Sequence, residues 1–486
     1  MSNSPLENLI FRLWAKIKCC KVSVISGIAA GVMAHMFVMT NKFINADETS
    51  SLFTKGATVE SGRWFLEVTK YLFPNYSMPW IYGLLSILFI TAAGCLIVVT
   101  FDVRSPLLKC LIPAVFTSFP AIMAYMCYMF TAAPFCLAAF LASFSVYLCR
   151  ELKIRKTMVG ILLLTLSCGT YQSFVCLAAS MYVILLLKKL LADGEDAKAV
   201  FRKALKYFAV LMASLLLYIV TTLLVNKIGG YSIVNDYAIS ETPLLTRFRA
   251  VYTAYAGIFI KGYFGYIRSP FSAVLHGILL AILAYRVMRI LIARKDAKTT
   301  ILSLVLFAIY PLATNTLYLV SNPGVIQTLS EISFITFYVL VAVFVDGDNL
   351  IKDIASVILT LVVIMNVYAA NESYLKMHID YENAYSFYTA VIADVYSMDD
   401  YEAGMPVMFY GYPSEGLFYK EFDIGQMLGP HEYISHVYTR DYFIKYYLGS
   451  DINLTCKSIS IDDDMPVYPS AGSIMVIDGV MVVRFE

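Results

Sequence analysis

Residues 22–48 read VSVISGIAAGVMAHMFVMTNKFINADE, an apolar run followed by an adjacent pair of carboxylates. The run from Val22 to Thr40 is uncharged and close to the roughly 20 apolar residues that cross a bilayer. Four basic residues precede it: Arg12, Lys16, Lys18 and Lys21. Basic residues beside a first span favour the cytoplasm. Asp47 and Glu48 therefore fall at the opposite water–lipid boundary.

Apolar runs of this kind recur along the 486 residues, of which 59% are hydrophobic and 15% charged, with a mean hydropathy of +0.70. Soluble proteins carry about 25% charged residues. The pattern predicts a polytopic all-α membrane bundle of about 11 transmembrane helices, near residues 22–40, 80–100, 107–125, 132–149, 157–170, 173–190, 207–225, 271–291, 300–320, 331–346 and 351–370. Gly169-Thr170 leaves open whether 157–170 and 173–190 are two short helices, one long helix or a re-entrant pair.

The distribution of Lys and Arg predicts the orientation. The predicted cytoplasmic segments are basic, whereas the short external turns near 126–131, 170–173 and 321–330 contain no Lys or Arg. This bias predicts a cytoplasmic N-terminus, and an odd number of spans then places the C-terminus outside. The predicted domains are a membrane bundle at residues 1–370, with external loops 41–79 and 226–270, and an external domain at 371–486.

Residues 371–486 are predicted to form a small α/β domain. Asn371–Met398 has the pattern of an amphipathic helix, and Pro406–Tyr410 and Tyr442–Tyr447 resemble strands. Two apolar runs flank Asp478-Gly479, which predicts a hairpin over Ser473–Phe485. The tail holds 18 acidic and 6 basic residues, a balance that excludes unaided binding of nucleic acid or anionic lipid.

The placement of charge also limits the chemistry. No apolar run has a charged residue near its centre, which argues against an ion-coupled transporter. The chain has no P-loop, no G-x-S-x-G with triad partners and no H-E-x-x-H. No cytoplasmic loop is long enough for a nucleotide-sugar enzyme. Chemistry is therefore expected at the outer face.

Asp47 and Glu48 are the candidate catalytic residues. One carboxylate there can accept a proton from a sugar hydroxyl while the other adjusts its pKa or orients the acceptor. The alternative is a helix-capping Asp followed by a solvated Glu. The sequence does not distinguish which of the two is the base.

Cations in the external loops are candidates for binding a donor phosphate. Arg63 precedes Trp64 on a predicted interfacial helix spanning 60–72 and could grip a phosphate bidentately, or could snorkel to the lipid boundary. Helical spacing of apolar residues after Pro243 predicts a helix in the second loop. This loop adds Arg247, Arg249, Lys261 and Arg268. These lie among tyrosines, so they could bind phosphate and sugar or form an ordinary aromatic belt with anchoring cations.

Polar residues inside or beside the bundle could bind a ligand or have a structural role only. Tyr171 and Gln172 interrupt an apolar run, where they could bind a sugar or satisfy exposed backbone. Trp64 could hold sugar or lipid. We expect His35 to pack or hydrogen-bond within the bundle.

Three signatures together, in this order, carry a family resemblance: Ala46-Asp-Glu48, Gly62-Arg-Trp64 and Thr170-Tyr-Gln-Ser173. Over its whole length the chain resembles the serotype-converting O-antigen glucosyltransferases of the Gtr type II family. The resemblance implies a C-type glycosyltransferase fold in a bacterial inner membrane, with an acidic catalytic residue in the first external loop.

The resemblance also implies the reaction. The donor would be undecaprenyl-phosphate glucose, supplied by a donor-making glucosyltransferase and a flippase, and the acceptor a sugar of the O-antigen. Transfer would proceed by inversion without cofactor or metal and would change the serotype. The rivals are an O-antigen polymerase, another lipid-linked glycan transferase such as one acting on lipid A, and a non-enzymatic flippase for a lipid-linked sugar.

Overall fold

The computed structural model describes residues 20–41, 45, 47–48, 58–74, 76–232, 242–264, 267–320, 328–413, 437–456, 459–462 and 464–486. The contacts divide these residues into two compact units. Unit one comprises residues 20–40 and 58–371. Unit two comprises residues 41–48 and 372–486.

Unit one is helical. Its helices up to residue 229 are α1 (Lys21–Thr40), α2 (Trp64–Thr69), α3 (Pro79–Thr100), α4 (Pro106–Ser118), α5 (Pro120–Cys127), α6 (Met129–Cys149), α7 (Ile154–Thr170), α8 (Phe174–Leu187, followed by a π-turn at Lys188–Ala192) and α9 (Ala197–Gly229). The later ones are α10 (Leu244–Phe259), α11 (Pro270–Arg294), α12 (Ala297–Thr314), α13 (Leu317–Val320), a 3₁₀ segment at Thr328–Ile335, α14 (Thr336–Val345) and the start of α15 (Asn349–Tyr396). A short strand pair, β1 (Tyr263–Phe264) and β2 (Ile267–Arg268), follows α10.

Ten helical segments within the described residues are long and apolar enough to cross a membrane, when α4 is joined with α5, α8 with its π-turn and the 3₁₀ segment with α14. The predicted polytopic helical bundle is thereby confirmed. Helix α7 matches the predicted run 157–170 but has 17 residues, a length of about 25 Å. It is therefore shorter than a typical span.

Small residues bring α1, α3 and α4 together. A Cβ added at Gly94 of α3 would lie 2.7 Å from Cα of Pro113 in α4. A Cβ added at Gly27 of α1 would lie 2.7 Å from the Thr91 side chain. Close backbone approach at glycine is a common way to pack helices in lipid, where apolar side chains gain little by leaving the tails.

We expect Gly94→Ala to destabilise the protein by about 1–3 kcal/mol, because the added methyl meets backbone that cannot easily move. Gly277→Ala is the matched control, since a Cβ there meets nothing within 4 Å. Thermal unfolding of the two variants in detergent measures the difference. Equal melting temperatures would show that the contact with Pro113 does not limit packing.

The apolar run around Gly169 forms two helices. Helix α7 ends at Thr170, Tyr171 is extended with φ −159° and ψ 127°, and α8 begins at Phe174. Of the alternatives left open by the sequence, a single long helix is excluded. His35 of α1 is buried, and its Nε2 lies 2.7 Å from the Thr117 carbonyl oxygen, so the expected packing role is confirmed.

The loop helices differ in how well they follow the sequence pattern. The predicted interfacial helix over 60–72 is shorter in the structure, where α2 covers Trp64–Thr69 and turns follow it. Val68 and Leu72 are exposed, as expected for a face toward lipid. The helix expected after Pro243 is confirmed as α10.

Unit two combines the second part of α15 with β3 (Pro406–Tyr410), α16 (Val437–Tyr442), a π-turn at Phe443–Tyr447, β4 (Asn453–Leu454), β5 (Ile474–Ile477) and β6 (Val480–Arg484). The sheet order is β4-β3-β6-β5, with β3 parallel to both β4 and β6. Val407, Met481 and Val483 pack with Tyr388 and Val391 of α15 in one core. The last predicted span and the predicted tail helix thus form one continuous helix.

The predicted hairpin at the C-terminus is confirmed. Strands β5 and β6 pair antiparallel from Ile474 with Val483 to Ile477 with Val480. Asp478 and Gly479 both have positive φ, 50° and 73°. A two-residue turn with this backbone matches the natural twist of paired strands and favours Asp-Gly.

The predicted strand at Tyr442–Tyr447 is wrong. These residues form the end of α16 and the π-turn. Phe443 stacks on Tyr447 with ring centroids 5.8 Å apart, and Tyr442 stacks on Tyr446 at 5.7 Å. Aromatic residues four apart lie on one face of a helix, where they can stack. A short aromatic run fits a strand as well as a helix, so the sequence alone does not reveal this helical spacing.

Candidate functional site

Arg63 lies against Tyr171, so two of the three sequence signatures meet in unit one. The guanidinium carbon of Arg63 is 5.0 Å from the centre of the Tyr171 ring, a cation–π distance. Gly62 just before it has φ +77°, and a Cβ there would lie 2.5 Å from the Tyr218 hydroxyl. Glycine at 62 therefore allows the loop to approach α9 closely.

Gln172 joins the first loop to the break between α7 and α8. Its Nε2 donates to the Ser61 carbonyl at 2.7 Å and to the Tyr218 hydroxyl at 3.0 Å. The Tyr218 hydroxyl in turn donates to the Gly62 carbonyl at 3.2 Å. Gln172 thus satisfies a backbone carbonyl of the first loop, one of the two roles considered from the sequence, and holds residues 61–62 in position.

Trp64 packs on α7. A Cβ added at Gly169 would lie 2.7 Å from Cε2 of the indole. The indole N–H is buried and has no hydrogen-bond partner within the described part of the chain. Trp64 therefore anchors the segment that carries Arg63, and its N–H is available to a ligand.

Tyr171 extends the cluster to the 3₁₀ segment. Its hydroxyl lies 2.7 Å from Oγ of Ser330, and the side chain is 1% exposed. The next residue, Glu331, is 7% exposed and accepts a hydrogen bond from the Tyr318 hydroxyl at 3.0 Å. Reasoning from the sequence did not select Glu331. The available signal was an acid at the first position of the apolar run 331–346.

The carboxylate pair belongs to unit two. Asn45 is buried, and its Oδ1 accepts from the Asp47 backbone N–H at 2.9 Å while its carbonyl accepts from the Glu48 N–H at 2.9 Å. This turn directs the two acids differently: Asp47 is exposed, whereas Glu48 is 4% exposed. Burial, together with the negative charge of Glu48, raises the pKa of Tyr447, so this carboxylate lies beside a tyrosine.

The cations of the second loop have separate surroundings. Arg247 donates to the carbonyls of Thr242 and Leu319, at 2.8 and 2.9 Å, and so ties α10 to α13. Arg249 and Lys261 are exposed. The backbone of Arg268 lies in β2, and its side chain lies outside the described residues. Arg63 is the candidate cation that the described structure places in the aromatic and polar cluster with Tyr171.

Metal-ligating groups are scattered over the described ranges, where no group of three or more His, Cys, Asp or Glu side chains could hold a metal ion. What the cluster in unit one offers is a fixed cation, a buried indole N–H, tyrosine hydroxyls and a buried carboxylate. Such a set can bind an anion next to a polyhydroxylated group.

Comparison with known proteins gives a match over most of the bundle. The model of the glucosyl transferase GtrII family matches residues 36–346. No curated protein and no solved structure matches the chain significantly. The matched range contains the acid pair, Arg63, the Tyr171 break and Glu331.

Proposed function

Because the chain belongs to the glucosyl transferase GtrII family, and is therefore a glycosyltransferase, we propose that it moves glucose from undecaprenyl-phosphate glucose to a sugar of the O-antigen repeat. The transfer inverts the anomeric configuration and changes the serotype. It takes place at the periplasmic face of a bacterial inner membrane, with the N-terminus in the cytoplasm.

The observation that carries the proposal is the position of Arg63 over Tyr171 beside the broken helix. A guanidinium is always charged and presents paired donors that match a phosphate. Tyr171 and the Gln172 network hold this cation at a defined place in a polar cluster of the bundle. A lipid-phosphate leaving group requires such a counter-charge, and neither Arg247 nor the exposed Arg249 has comparable surroundings.

The different exposure of Asp47 and Glu48 suggests a different role for each in the transfer reaction. The acceptor hydroxyl oxygen bonds to the anomeric carbon as the bond from that carbon to the phosphate oxygen breaks, and the lipid phosphate leaves with the electron pair. Asp47 is exposed and takes the proton of the hydroxyl. Glu48 is buried and keeps the turn and its neighbour oriented. Arg63 stabilises the charge on the departing phosphate.

The remaining parts of the proposal concern partners and domains. The donor comes from a donor-making glucosyltransferase and a flippase of the same pathway. Residues 1–370 form the transferase bundle, and residues 371–486 form a periplasmic domain that helps to hold the polysaccharide acceptor. The donor is a substrate, and the reaction uses no further cofactor.

The test is linkage analysis by NMR of lipopolysaccharide from cells with and without the protein, with the donor-making enzyme and flippase present in both. The expected result is an added α-linked glucose branch that is lost when the donor-making enzyme is deleted. A change in chain length without a branch would indicate a polymerase. Movement of lipid-linked glucose across the membrane without its consumption would indicate a flippase.

A further inference from the structure

Glu331 is a buried acid that the roles above leave unused. It is the only charged residue of the apolar segment Thr328–Val345. A carboxylate in such a segment is costly, and those that occur usually face the interior of a bundle and serve function. The backbone at Glu331 also leaves helical geometry, with φ −99° and ψ 18°, a region in which many active-site residues lie.

One oxygen of Glu331 is already used by the protein. The Tyr318 hydroxyl donates to Oε1 at 3.0 Å and fixes the orientation of the carboxylate. Within the described ranges Oε2 has no hydrogen-bond partner. A carboxylate has room for several donors, so this oxygen can accept from a ligand.

A single tyrosine side chain connects Glu331 to the proposed phosphate position. Arg63 lies over the ring of Tyr171, and the hydroxyl at the far end of that ring bonds Ser330, the residue before Glu331. In the proposed donor the glucose unit is bonded directly to the phosphate. A sugar attached to a phosphate at Arg63 has the length of one tyrosine side chain to cross to reach Ser330, the neighbour of Glu331.

Resting on the function proposed above, we infer that Glu331 binds a hydroxyl group of the glucose unit in the lipid-phosphate donor through its second carboxylate oxygen. Tyr318 is the positioning residue that orients this carboxylate. The interaction makes the site selective for a donor with a hydroxyl at that position, since a sugar without it leaves the second oxygen of a buried carboxylate without a hydrogen-bond donor. No covalent step involves Glu331.

The substitution Glu331→Gln distinguishes this role from a structural one. The glutamine Oε1 can still accept from Tyr318, and the side chain keeps its length, so packing is retained. The second oxygen is replaced by an N–H₂ group, which cannot accept from the sugar. Tyr310→Phe is the control for the general effect of removing a buried polar group. It removes a hydroxyl that bonds Thr336 of α14 at 2.8 Å.

The experiment uses the full-length protein in lipid nanodiscs and polyprenyl-phosphate glucose together with its 2-, 3-, 4- and 6-deoxy analogues. For the wild type we expect one deoxy donor to lose about 10- to 100-fold in kcat/KM, the cost of one hydrogen bond to a charged group. In Glu331→Gln that particular loss should shrink toward onefold, because the mutation and the missing hydroxyl remove the same interaction. Tyr310→Phe should keep the wild-type preference.

Each other outcome is decisive. If Glu331→Gln is active and retains the full penalty for every deoxy donor, the inference is overturned while the proposed function stands. If the wild type transfers glucose from none of the lipid-phosphate donors, the proposed function fails and the inference with it. If Glu331→Gln does not reach the membrane, Glu331→Asp replaces it, because the shorter side chain withdraws the carboxylate from the sugar, and unchanged discrimination in that variant overturns the inference.

Discussion

Replacing Asp47 with asparagine is expected to lower glucosyl transfer by about 10²- to 10⁴-fold, the usual contribution of a general base. Asparagine keeps the size of the side chain and the turn set by Asn45, but it cannot take the proton. The rate is measured with purified protein, lipid-phosphate glucose and an O-antigen acceptor, at matched amounts of folded protein.

Two further variants show whether a loss in Asp47→Asn is specific to Asp47. Glu48→Gln should lose about tenfold, because it alters a buried neighbour and not the base itself. Asp451→Asn changes an exposed acid of the same unit and should keep full activity. A larger loss in Glu48→Gln than in Asp47→Asn would assign the base to Glu48, and full activity in both would remove the pair from the mechanism.

Replacing Arg63 with alanine is expected to cost about 10²- to 10³-fold, comparable to removing one preorganised group that stabilises developing negative charge. Arg63→Lys should recover only part of the activity, because an ammonium is a point charge without the paired donors of a guanidinium. Added guanidinium ions should partly restore Arg63→Ala and leave Arg63→Lys unchanged.

The matched control for Arg63 is Arg249→Ala, which removes an exposed cation from α10. We expect it to keep near wild-type activity. A loss at Arg249 equal to that at Arg63, or an Arg63→Ala protein with the wild-type rate, would contradict the assignment of the phosphate to Arg63.

Local chemistry made part of this molecule predictable from its sequence. The Asp478-Gly479 hairpin follows from two residues that accept positive φ between apolar runs, and α10 follows from helical spacing after Pro243. The apolar runs predict the bundle because backbone in lipid must satisfy its own hydrogen bonds. In each case the determining residues are neighbours along the chain.

The features that could not be predicted from the sequence depend on contacts between residues far apart in the chain. Phe443 and Tyr447 fit a strand or a helix until the core of unit two selects the helix. Tyr171 and Ser330 are 159 residues apart, and only the folded bundle brings them together. Glu331 was passed over because an acid at the edge of an apolar run resembles an ordinary boundary residue, whereas the structure buries it.

The break at Tyr171–Ser173 also constrains how the protein is made. Gln172 bonds Ser61, which is synthesised long before it, and Tyr218, which is synthesised after it. Tyr171 bonds Ser330, which is synthesised later still. Until Tyr218 and Ser330 have been synthesised, the polar side chains between α7 and α8 lack these partners, which lipid cannot replace. The bundle is therefore incomplete at this break while residues 173–330 are synthesised, and substitutions in this cluster should reduce cellular abundance as well as turnover.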